Sequence, residues 1–135
     1  MAMNKEEQPN PRDLLDSLYR LCESRLASDI HLSAGEFPYL RLDGVLTPVS
    51  GLSPISAQTC DALGVMLALN TVAPGLDDPE VEIRRRLFSV GAIDGATTSP
   101  DGHRYRFNVY RENGATAIAM RRLDDRFLSL TELGL

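Results

Sequence analysis

Ala27-Ser28-Asp29-Ile30-His31-Leu32-Ser33-Ala34-Gly35 is the stretch from which the rest of the chain is read. It follows a helical pattern and opens a strand, along which side chains alternate between two faces. Asp29, His31 and Ser33 therefore share one face, and Ile30 and Leu32 share the other. Three short polar groups on one side and apolar groups on the other describe a sheet covered on one face, with the second face turned to something else.

On the N-terminal side of this strand, Asn10-Pro11 is a helix start. Asn10 can cap, and Pro11 lacks an amide that the first turn would leave unpaired. Leu14, Leu18, Leu21, Cys22 and Arg25 recur at three- and four-residue spacing and predict an amphipathic helix to about Leu26. Residues 1–9 read as a disordered leader. On the C-terminal side, a second strand is expected at Tyr39–Leu42 and a third at Val45–Val49, joined by the two-residue hairpin signal Asp43-Gly44. Ser56 caps a helix to about Leu69, with Leu63, Met66 and Leu67 inward. Pro74-Gly75 is a breaker, and Asp78-Pro79 starts a third helix supported by the pairs Glu80–Arg84 and Glu82–Arg86. Strands are then expected at about Phe88–Thr97, His103–Arg111 and Ala115–Leu123, with turns at Pro100-Asp101-Gly102 and Asn113-Gly114. The order α-β-β-β-α-α-β-β-β predicts an α+β fold, an antiparallel sheet with helices on one face. The domain is expected to span residues 10–124, with 125–135 a linker toward a new helix start at Thr131-Glu132.

With 135 residues, 43% hydrophobic and 24% charged, the chain has the makeup of one globular domain. A net charge of −5 argues against nucleic acid as a partner, since phosphate backbones reward basic faces. Lys5 is the single lysine and no Gly-Lys-Ser/Thr triplet occurs, so this chain holds no P-loop. Cys22 and Cys60 sit in helical patterns and read as buried reduced thiols; their spacing gives no zinc site. No signal peptide or membrane-spanning run is visible, which makes a cytoplasmic location the simplest expectation.

The last hairpin carries the main candidate site. With Asn113-Gly114 as the central turn residues, Glu112 faces Ala115, Val109 faces Ile118, Phe107 faces Met120 and Arg106 faces Arg121. Tyr105, Phe107, Val109, Ile118 and Met120 then point to the core. Arg104, Arg106, Asn108 and Tyr110 share the other side with Ala117, Ala119 and Arg121. Like charges directly opposite each other are unfavourable by a few tenths to about 1 kcal/mol. Two facing arginines among alanines therefore form a shallow cationic platform for an anion, whose oxygens match guanidinium forks. The alternative is a solvated face balanced by Asp29 or Asp94 from neighbouring strands. His31 near Asp29 could suggest acid–base work, but no nucleophile or second base accompanies them, and a polar interface pair is the better reading. His103, beside a turn, reads as exposed; Arg84-Arg85-Arg86 reads as a helix face paired to Glu80 and Glu82.

The same residues carry a family likeness. Ala27–Gly35, followed after a proline by Arg41-Leu42-Asp43-Gly44, resembles the opening of the N-terminal domain of PilT-type pilus-retraction ATPases and their secretion-ATPase relatives. Arg104-Tyr105-Arg106-Phe107-Asn108-Val109-Tyr110-Arg111 is similar to the family's arginine-bearing strand, Ala117–Arg121 to its partner, and Ser129–Leu135 to the stretch that leads into the motor. The resemblance implies a PAS-like N-terminal domain of a hexameric ATPase, packed on the RecA-like motor domain of a neighbouring subunit. It implies that Arg104, Arg106 and Arg121 approach the nucleotide phosphates and that Asp29, His31 and Ser33 are interface or framework residues, with no catalytic residue or metal site in this chain. ATP with Mg would belong to the longer parent and not to this domain alone. The parent would work at the inner-membrane face beside a pilus platform without inserting into the membrane. The Ser-Ala-Gly ending leans toward retraction; the alternatives are a pilus-assembly or secretion ATPase, or a stand-alone PAS-like adaptor. Ile93-Asp94-Gly95-Ala96, the long Thr97–Gly102 loop and the helix near Asp78–Leu87 depart from the family pattern. The chain ends where the motor would begin, which points to an excised domain.

Overall fold

Two tight turns set the register of the sheet. Asp43 and Gly44 (φ 52° and 82°) and Asn113 and Gly114 (φ 53° and 80°) hold the left-handed pair of conformations that two-residue hairpin loops require. A computed structural model describes residues 10–72 and 75–123. In it the chain runs α1 (Pro11–Ser24), β1 (Asp29–Ser33), β2 (Tyr39–Leu42), β3 (Val45–Pro48), α2 (Ala57–Ala68), a 3-10 turn (Leu69–Thr71), α3 (Pro79–Ser89), β4 (Ala92–Thr98), β5 (Arg104–Glu112) and β6 (Ala115–Leu123). The strands form one antiparallel sheet in the order β3-β2-β1-β6-β5-β4, and the architecture is α+β. The central pairing of β1 with β6 joins the first and last thirds of the chain.

Alternation then sorts each strand. Ile30 and Leu32 of β1, Leu40 of β2, Phe107 and Val109 of β5, and Ile118 and Met120 of β6 are buried together with Leu14, Leu15, Leu18 and Cys22 of α1, Leu63 and Leu67 of α2, and Ile83 and Leu87 of α3. Each fully buried aliphatic or aromatic side chain stabilises the fold by about 1.5–3 kcal/mol. α2 lies close to the sheet because Gly64 has no side chain: a Cβ there would sit 2.8 Å from Val109 Cγ1 and 3.0 Å from Thr116 Cγ2. Both cysteines are free and buried, and burial pushes the Cys60 thiol up to about 12.

Several details differ from the sequence reading. On α1 the buried stripe takes in Leu15 and Tyr19, whose ring packs 4.8 Å from that of Tyr105, whereas Arg25 is exposed beyond the helix end. Met66 is only partly buried. The expected strand from Phe88 begins four residues later, at Ala92. α3 continues through Phe88 because Asp78 accepts from the Val81 amide and Glu82 accepts from both Arg85 and Arg86; Gly91 (φ 95°) then turns the chain. The leader at residues 1–9, Pro74 of the breaker, and the linker with its Thr131-Glu132 helix start lie outside the described residues.

Candidate functional site

The helix-free face of the sheet is built from the odd-numbered residues of β1, β2 and β6 and the even-numbered residues of β4 and β5. Register places one row across all six strands: Leu46, Arg41, Asp29, Arg121, Arg106 and Ala96. A second row, one pleat away, runs Pro48, Tyr39, His31, Ala119, Asn108 and Asp94. Arg106 and Arg121 are thus cross-strand partners on the same open face, and Arg104 follows one pleat further along β5, opposite Leu123.

The arginines are not equivalent. Asp29, 5% exposed, receives Arg121 Nε at 3.1 Å on Oδ2 and faces Arg41 Nε at 3.6 Å from Oδ1. Ser28 Oγ donates to the same Oδ1 at 2.5 Å. Arg121 therefore has an internal acid, while its own side chain stays 69% exposed. Among the described residues, no carboxylate comes within ion-pairing distance of Arg104 or Arg106, and Asp94 lines a hollow with both without pairing to either. Arg41, Arg106 and Arg121 line a shallow hollow of about 440 Å³ with Asp29, Asp94 and Asn108. Three guanidinium groups against two carboxylates leave it one positive charge in formal balance, within a chain that is acidic overall. Such a hollow can bind and orient an anion.

His31 also lines this hollow, and the other expected residues lie outside it. His31 shares the face with Asp29, and burial holds its imidazole below the usual value against the opposing pull of Asp29, with Arg41 and Arg121 lowering it further. Ser33 donates to Glu112 Oε1 at 3.3 Å, which ties β1 to the end of β5. His103 is half-exposed, its Nε2 3.9 Å from Glu23 Oε1; the other carboxylate oxygen of Glu23 accepts from the Tyr105 hydroxyl at 2.8 Å. The arginine run on α3 pairs with Glu80 and Glu82, and also with Asp61 of α2. Sequence reasoning missed Arg41 as a member of the site. The signal was present: Arg41 lies on the same face of β2 that Asp29 occupies on β1, but only the β1–β2 register brings them opposite. Among the described residues there is no cluster of metal-ligating side chains, and no helix is long and apolar enough to cross a membrane.

No family model and no curated protein matches the chain. Solved structures do. A crystal structure of the pilus retraction motor PilT with bound ADP is similar at 25% identity and a TM-score of 0.63, over 82% of this chain and 29% of that one. The Legionella pneumophila ATPase DotB shares the fold at 23% identity and a TM-score of 0.62, over 87% of this chain and 31% of its own. The VirB11 ATPase of the Brucella suis type IV secretion system, in complex with sulphate, shares it at 13% identity and a TM-score of 0.50, over 84% and 30%. The chain spans less than a third of the length of each.

Proposed function

We propose that this chain, an N-terminal domain of a secretion or retraction ATPase, supplies phosphate-approaching arginines to a hexameric, PilT-like motor. The observation that carries the reading is the Arg106–Arg121 pair on the helix-free face, with Arg106 lacking any acidic partner among the described residues. Facing cations on an acidic domain are costly unless an anion from elsewhere offsets them. In the parent that anion would be the nucleotide phosphates, held with Mg by the RecA-like domain of a neighbouring subunit. Phosphoryl transfer spreads negative charge over oxygens that guanidinium groups stabilise. The PAS-like sheet would then move as a rigid body on the motor as nucleotide binds and leaves. Among branches of the family, pilus retraction and twitching motility at the cytoplasmic face of the inner membrane suit the Ser33-Ala34-Gly35 ending and the PilT likeness.

The test is ATP turnover by the longer protein carrying Arg106→Ala or Arg121→Ala. An arginine aimed at a transferring phosphoryl group is worth about 10³-fold or more, so a loss of at least about tenfold is expected. Wild-type turnover in both variants removes the assigned role. A second reading is a secretion ATPase, like the VirB11 ATPase whose fold this chain shares, in which the arginines do the same work but the motor drives a different machine. The third, a stand-alone adaptor, is separated by the coding sequence downstream: a Gly-Lys-Ser/Thr loop supports the motor and a stop codon supports the adaptor.

A further inference from the structure

The contact between Asp29 and Arg121 is one-pronged. Only Nε of Arg121 engages the carboxylate, so the two terminal amines of the guanidinium have no hydrogen-bond partner among the described residues. The other oxygen of Asp29 is held from behind by Ser28 Oγ at 2.5 Å and flanked by Arg41 Nε at 3.6 Å. Arg41 is in turn tied to its own hairpin, Nη1 donating to the Gly44 carbonyl at 3.1 Å. The carboxylate side chain is 7% exposed, whereas the Arg121 side chain is 69% exposed. A buried acid fixed by a hydroxyl and two guanidinium groups is a rigid anchor; a guanidinium gripped at Nε alone presents its remaining fork outward.

We propose that Asp29 is a positioning residue that aims the terminal amines of Arg121 at a phosphate group, which Arg106 receives from the opposite strand. The inference rests on the phosphate reading of this face and adds the means by which one of its two arginines is oriented. Release of Asp29 by the ligand is the poorer alternative, because a carboxylate that buried is strongly unfavourable once unpaired. The arginine therefore keeps its Nε bond to Asp29 while its terminal amines engage the ligand. Arg41 completes the anchor through the second oxygen and lends positive charge to the rim.

Simple electrostatics and positioning give different results when Asp29 is changed. If Asp29 only neutralises the hollow, Asp29→Ala and Asp29→Asn both remove one negative charge and tighten anion binding alike. If it aims Arg121, Asn still accepts from Nε through its amide oxygen and Ala does not. The measurement is calorimetric titration of the chain and both variants with pyrophosphate at fixed ionic strength, with Arg106→Ala alongside. Asp29→Asn is expected to bind pyrophosphate about tenfold more tightly than Asp29→Ala, the worth of one lost charge-assisted hydrogen bond. Equal affinities for the two variants overturn the positioning role. Equal affinities together with a loss in Arg106→Ala remove Asp29 alone and leave the phosphate reading standing, and absence of binding by every protein at about 10 mM defeats both. Should Asp29→Ala fail to fold, the Arg121 Nε–H resonance of the unaltered chain decides. It is expected to keep its Asp29-bonded position as pyrophosphate saturates, and its loss overturns the proposal.

Discussion

β5 and β6 present two faces made from the same two strands, and the faces obey different rules. Toward the helices stand Phe107 and Val109 opposite Met120 and Ile118, all nearly inaccessible to solvent. Toward the open side stand Arg106 opposite Arg121, beside Asn108 and Ala119. The first face is filled and self-sufficient. The second is charged and internally incomplete: Asp29 of the neighbouring strand serves both Arg121 and Arg41, and among the described residues Arg106 pairs with no acid. Stability is concentrated where the pairs satisfy each other and the proposed role where they do not, and mutations on the two faces should separate cleanly.

The largest expected effect is on the covered face. Ile118→Ala removes a side chain with no exposed area and is expected to cost about 2–5 kcal/mol in urea unfolding. Arg106→Ala is expected to change the same quantity by less than about 0.5 kcal/mol. Equal losses would break the comparison. Next comes Gly95→Ala on β4, where a Cβ would lie 2.4 Å from Phe107 Cζ and 2.8 Å from Thr71 Cγ2. Overpacking of that kind is expected to cost about 1–3 kcal/mol, read as a lower urea midpoint. An unchanged midpoint would mean that the edge strand yields.

Tyr105→Phe tests where the covered face meets its rim. The variant keeps the ring beside Tyr19 but removes the donor to Glu23 Oε2, leaving a mostly buried carboxylate one hydrogen bond short. A loss of about 1–2 kcal/mol is expected, and none would show that Glu23 finds water or His103 instead.

The smallest effect belongs to the open face. His31 is held below its usual 6.5, mainly by burial. The unfolded chain therefore takes up the proton first, and the stability contributed by keeping His31 neutral is lost as pH falls through 6.5 toward the folded value. Stability measured at about pH 7.5 and about pH 5.5 should fall less in His31→Gln than in the unaltered chain. Equal falls would assign the pH dependence to other groups.

These contrasts also explain what could be read from the chain before its structure. The Asn113-Gly114 and Asp43-Gly44 turns fix their hairpins locally, because only a left-handed pair closes a two-residue loop. From the first of them the Arg106–Arg121 opposition follows by counting. The cap at Asp78 and the proline after it were equally legible, but the end of α3 was not. Phe88-Ser89-Val90 reads as a strand start, and the Glu82 clasp on Arg85 and Arg86, with the Gly91 turn, carries the helix past it. The Asp29 anchor was hidden for a different reason. It depends on β1 lying between β2 and β6, one neighbour reached across a five-residue connection and the other across most of the chain. No local turn determines that placement; burial of Ile30 and Leu32 against the helices does.

The most direct test of the account is ATP turnover by the longer protein carrying Arg106→Ala, measured beside the unfolding midpoint of the same variant. Arg106 touches no internal acid among the described residues, so its loss disturbs the outward charge and little else. The account expects turnover to fall at least about tenfold with the midpoint unchanged. Turnover equal to that of the unaltered protein, in a variant that folds as well, would contradict it.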